Sequence, residues 1–215
     1  MKSVVIGIHL NREDVEPVAE SMKVSDVFAS VVGVADDRPL GDRDLLLEIA
    51  AIRGRLLDKA TFIAVRYGFT VRDENELAIK CSGLTARWRE LLVAHRDEVE
   101  MTLKAAAAAA PPARPDRHDF PSGAAYLRAL HDATQTIQVD PEFRVGIERT
   151  LVPIATQHRW IHRDTHSVEL AMLVGRRNLD AIRDAGEKLR RDFANAPFLL
   201  SGPWPLEVFA NDHHE

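Results

Sequence analysis

Pro197-Phe198-Leu199-Leu200-Ser201-Gly202-Pro203-Trp204-Pro205 joins an apolar run to a tryptophan held between two prolines. Proline fixes φ, lacks an amide proton and drives the residue before it out of the helical region, so Gly202 and Trp204 are expected to be extended. The stretch reads as a last strand running into a stiff corner. Just before it, Leu179, Ile182, Gly186, Leu189 and Phe193 recur at helical spacing on one stripe. Residues 159–162 and 167–174 are β-rich runs, expected to pair antiparallel around a turn near Asp164-Thr165.

Two helices are expected upstream of these strands. One carries Tyr126, Leu130, Ala133 and Ile137; the other starts at Asp140-Pro141 and carries Phe143, Ile147, Leu151 and Ile154. They are expected to form a helical hairpin. Residues 99–103 read as a strand, so the order is strand, helical segment, strand, strand, helix, strand. That order predicts a modified ferredoxin-like βαββαβ sandwich with an extra helical hairpin. Six alanines, Ala105 to Ala110, followed by Pro111, Pro112, Pro115 and Pro121, predict a flexible insertion over about 105–120.

The first half reads as a second α+β unit. Residues 4–8 and 27–34 are apolar enough for strands inside a sheet, with charged, loop-like residues from His9 onward between them. Leu45, Ile49, Ile52 and Leu56 mark an amphipathic helix over 42–58, with Asp42 and Asp44 at its positive end. Residues 61–66 return to β character and Tyr67-Gly68 closes them. Leu77, Cys81, Leu84, Trp88 and Leu91 then form a helical seam that Ser82-Gly83 divides. The fold class is therefore α+β in two small domains, 1–96 and 97–215.

With 215 residues and a formal charge of −5, the chain has room for a real core and no basic excess to neutralise nucleic acid. No run approaches the roughly 20 apolar residues of a bilayer span, and the apolar start at 4–8 is too short for a secretory signal. A lone cysteine, Cys81, fits a reducing cytoplasm and a place in the core. His158, His162 and His166 recur every four residues, but in an extended segment such side chains lie roughly 13 Å apart, too far to share an ion. His213-His214 implies no more than adventitious metal affinity. The acids Asp36, Asp37, Asp42 and Asp44 match no calcium loop. No phosphate loop, nucleophile elbow, Cys-x-x-Cys or dinucleotide fingerprint occurs, so neither catalysis nor a cofactor is expected.

Arg66-Tyr67 at the end of an apolar strand reads as a strand-edge ion pair or as an interface arginine beside an aromatic, and Trp204 as a core anchor or a partner contact. Four segments carry a resemblance to the gas vesicle protein GvpL/GvpF family. They are Gly7-Ile8 after the first strand, Ile63-Ala64-Val65-Arg66-Tyr67-Gly68, Val99-Glu100-Met101, and Ser201-Gly202-Pro203-Trp204-Pro205 with Phe209 beyond it. Ala64, Leu206 and Glu207 stand where the family commonly has proline, proline and tyrosine. The resemblance implies an accessory assembly protein of gas vesicles that meets the small hydrophobic shell protein and other gas vesicle proteins during vesicle formation. It makes Arg66, Tyr67, Trp204 and Phe209 the candidate partner-binding residues and brings no cofactor. The alternative expectation is a ferredoxin-like regulatory module binding a small ligand.

Overall fold

The computed structural model describes residues 1–107, 115–135, 139–162 and 166–210. Within them lie nine strands and six α-helices in two sheets. Packing divides the chain into two compact units, Met1–Val99 with Pro203–Glu215 and Glu100–Gly202.

The first unit is built on β1 (Lys2–His9), whose residues from Val4 to His9 are all buried. β1 pairs antiparallel with β3 (Val27–Val34), and β3 pairs in turn with β2 (Glu20–Val24). On its other side β1 pairs with two short strands, β4 (Ile63–Ala64) and β5 (Thr70–Val71). Helix α1 (Arg43–Lys59) buries Leu45, Ile49, Ile52 and Leu56, the stripe expected from the spacing. It starts where the Asp42 carboxylate accepts from the Leu45 amide at 2.9 Å, an N-cap that satisfies one free donor of the first turn. Helices α2 (Glu74–Lys80) and α3 (Thr85–Ala94) are separate, as Ser82-Gly83 suggested. The break resets the helical phase: Leu84 is exposed and Leu92 takes the buried place. Cys81 lies in the core.

Two expectations for this unit fail. His9 does not end the apolar run but is its last buried residue, because its ring stacks on Phe62 at 4.9 Å. The segment before β3 is not all loop; Glu20–Val24 is a strand whose exposed side chains hide it from a hydrophobicity pattern.

The second unit has a four-stranded sheet in the order β7-β8-β6-β9. Its strands are β6 (Glu98–Ala106), β7 (Gln157–Ile161), β8 (Ser167–Gly175) and β9 (Phe198–Trp204). β7 and β8 are antiparallel as expected, with Trp160 opposite Leu170; the turn at 163–165 lies outside the described residues. Helices α4 (Gly123–Gln135), α5 (Pro141–Thr150) and α6 (Leu179–Asp192) complete it. Phe143, Ile147, Leu170, Met172, Ile182 and Leu189 belong to one apolar cluster. α5 is anchored by the ring of Phe143 against Phe193, 5.4 Å between centroids. α4 keeps its side chains at residues 123–132 at least partly exposed, and the Ile137 position expected at its end lies outside the described residues.

The alanine run begins as strand rather than as insertion. Ala105 is buried in the core and Ala106 donates its amide to the Pro197 carbonyl at 3.4 Å. Sheet pairing thus overrides alanine's helical preference there. Residues 108–114 lie outside the described residues, and Arg117–Asp119 forms a turn of 3-10 helix. Gly202 is not in the ordinary extended region: its φ is +126°, and a Cβ there would meet Met101 Sδ at 2.6 Å and the Glu100 carbonyl oxygen at 2.9 Å. Only glycine suits that corner.

Candidate functional site

Two segments singled out in the sequence meet in the first unit. After Trp204 the chain crosses to β4, where the Leu206 amide donates to the Phe62 carbonyl and the Ala64 amide donates to the Leu206 carbonyl, both at 2.9 Å. Leu206 therefore forms a one-residue parallel bridge with Ile63 and is fully buried. A proline at 206 lacks the amide this pairing uses.

Beyond β4 the chain turns over Arg66–Phe69, with the Phe69 amide donating to the Arg66 carbonyl at 3.2 Å. Gly68 at the third position has φ +90°, the value a type II turn demands and glycine supplies without strain. The Tyr67 hydroxyl donates to the Leu40 carbonyl, which fixes the ring half-buried. Arg66 is exposed, and among the described residues its guanidinium has no hydrogen-bond or ion-pair partner.

From α1, Arg53 reaches the same place. One Nη donates to the Val65 carbonyl at 2.5 Å and lies 3.5 Å from that of Ile6, while Nε is buried without a partner. Burial pulls the Arg53 guanidinium below the ordinary arginine range, and the Glu207 carboxylate opposes the shift. Arg53, Ala64, Val65, Arg66, Tyr67 and Glu207 line a cavity of about 470 Å³.

Of the four candidate residues, Arg66 and Tyr67 line this cavity. Trp204, 48% exposed, lies three residues before Glu207. Phe209 is 7% exposed and faces inward. Sequence reasoning missed Arg53 and Glu207, because a charged residue on an amphipathic helix or in a tail carries no signal of convergence. A second cavity of about 450 Å³ lies in the other unit, near Asp140, Phe143, Asp192 and Phe193. Its acids are engaged: Asp140 caps α5 through the Phe143 amide, and Asp192 accepts from Lys188.

His9 is the buried titratable group of the first unit. Its Nε2 lies 3.0 Å from Ser30 Oγ, and that hydroxyl donates to the Gly7 carbonyl at 3.3 Å. Ser30 must then accept from Nε2–H, which leaves Nδ1 as a bare lone pair, buried and unpartnered. A second proton would find no acceptor, and burial lowers the pKa to about 3. Of the other histidines, His158 is exposed on β7 opposite Met172, and His213-His214 lie outside the described residues. No helix among the described residues is long and apolar enough to cross a membrane.

No curated protein matches the sequence. Solved structures of gas vesicle proteins are similar to this chain over nearly its whole length. Gas vesicle protein GvpF from Anabaena sp. PCC7120 is similar with a TM-score of 0.68 at 13% identity, over 100% of this chain and 98% of that one. Gas vesicle protein GvpF from Microcystis aeruginosa is similar with a TM-score of 0.70 at 11% identity, over 98% of this chain and 99% of that one. At such identities the likeness shows the fold. The family model described as gas vesicle synthesis protein GvpL/GvpF matches residues 10–210, which hold all the resembling segments except Gly7-Ile8, and the chain therefore belongs to the GvpL/GvpF family.

Proposed function

We propose that the chain is an accessory assembly protein of gas vesicles, acting in the cytoplasm and at the vesicle, which holds the small apolar shell subunit and other gas vesicle proteins during vesicle formation. The observation that carries this reading is Trp204, half-exposed on a backbone stiffened by Pro203 and Pro205 and tied to β4 through Leu206. Tryptophan, tyrosine and arginine are the residues that most often dominate protein interfaces, and Arg66-Tyr67 follows the β4 strand to which that tail is tied. A large aromatic left half in water, with little ordering still to lose, suits capture of an apolar surface.

We further read Glu98–Trp204 as a ferredoxin-like βαββαβ unit with an added helical pair, and place the domain boundary in front of it, near residue 97. Its support is the sheet order β9-β6-β8-β7, which in chain order is fourth, first, third, second, with α4 and α5 in the first connection and α6 in the second.

Co-expression with the shell subunit tests the function. The intact chain should co-purify with it, and Trp204→Ala should lower capture roughly tenfold or more while leaving the thermal transition in place. Absence of capture, even with the other accessory proteins present, overturns the reading. Loss of the cooperative transition in Trp204→Ala instead assigns the ring to the core.

A further inference from the structure

The cavity beside the Arg66–Phe69 turn is lined by two arginines, Arg53 and Arg66, and one acid, Glu207, whose charge acts on Arg53. A guanidinium offers five N–H donors in a rigid fork. Arg53 satisfies one corner of its fork on the Val65 and Ile6 carbonyls, leaving its buried Nε without an acceptor. Arg66 stands in solvent, with no partner among the described residues. Donors thus outnumber acceptors, and the lining side chains sum to one positive charge.

We propose that this cavity binds a carboxylate, supplied by a small free dicarboxylate or by an acidic side chain of a partner chain. The planar fork matches a carboxylate in two parallel hydrogen bonds. One carboxylate group balances the site, and the second group of a dicarboxylate stays in solvent outside it, whereas phosphate or sulfate brings both its charges on one group beside Glu207. A volume of about 470 Å³ is ample for a ligand of this kind. Glu207 acts as a built-in competitor: its charge already works on Arg53, so an incoming carboxylate must share or displace it. The inference goes beyond the assembly role, because it concerns the isolated protein.

Arginine Nε–H resonances of the full chain, followed by NMR at constant ionic strength, provide the test. The probes are glutarate, a hexaglutamate peptide and sulfate. Saturable shifts of the Arg53 and Arg66 signals are expected with a carboxylate probe. Arg66→Gln should weaken binding about tenfold or more, and Glu207→Gln should tighten it about fivefold. A response to glutarate alone identifies a small ligand; a response to the peptide alone identifies an acidic chain. No saturable shift with either probe overturns the proposal, as does an equal response to sulfate, unchanged binding by Arg66→Gln or weaker binding by Glu207→Gln. The titration needs no vesicle partner, so its failure and a failure of shell-subunit capture are separate results.

Discussion

The first unit places a histidine at the end of its most buried strand, whereas the second unit buries Glu100 on β6 beside a cluster built from apolar side chains. His9 is held neutral by Ser30 on one nitrogen and by the lack of any acceptor on the other. The cluster of Met101, Leu103, Phe143, Ile147 and Leu170 has no titratable member. His9 should therefore make the first unit lose stability in acid, and the apolar cluster should make the second sensitive to steric fit.

The largest effect expected is acid opening of the first unit. Its folded-state pKa, about 3, lies below the ordinary 6.5, so above pH 6.5 the histidine is neutral folded or unfolded and costs nothing. As pH falls from 6.5 towards 3 the unfolded chain takes up a proton that the folded chain refuses. Stability then declines by roughly 3 kcal/mol between pH 7 and pH 4 from this group alone. Residue-resolved hydrogen exchange should show β1 and β3 losing protection ahead of β8, and His9→Leu should flatten the slope of stability against pH. An unchanged slope in His9→Leu removes the histidine from the comparison.

A smaller loss is expected in the second unit from Gly202→Ala. The new Cβ meets Met101 and the Glu100 carbonyl at a φ of +126°, a strain of about 2 kcal/mol in urea unfolding at pH 7. The smallest effect belongs to Asp140→Ala, which removes the cap on α5 and should cost about 1 kcal/mol, read as faster exchange in the first turn of that helix.

Much of the fold was legible because periodicity survives folding. Leu45, Ile49, Ile52 and Leu56 on α1, and Ile182, Gly186 and Leu189 on α6, are buried as their spacing requires. What escaped was decided by neighbours distant in sequence. β2 alternates only over Ser21-Met22-Lys23-Val24, too short a run among polar residues to stand out, and its place rests on pairing with β3. Ala105 belongs to a strand because the sheet accepts a small side chain in its core, although an alanine run by itself favours helix. His9 looked like a break because a polar ring in a core has meaning only once Ser30 and Phe62 stand beside it.

The candidate site divides in the same way. Arg66, Tyr67 and Trp204 could be named from local chemistry, since an arginine after an apolar strand and a tryptophan between prolines are visible in the residues themselves. Arg53 and Glu207 could not, and Phe209 turned out to face inward. By itself the sequence determined the stiffness around Trp204, the helical stripes and the turn at Gly68, because these follow from φ restrictions and from spacing within one element. Only the tertiary structure decided that Leu206 lies against Ile63 and that Arg53 shares a cavity with Arg66 and Glu207. A backbone pairing between residues so far apart in the chain, and the charge it gathers, leave no trace in local periodicity.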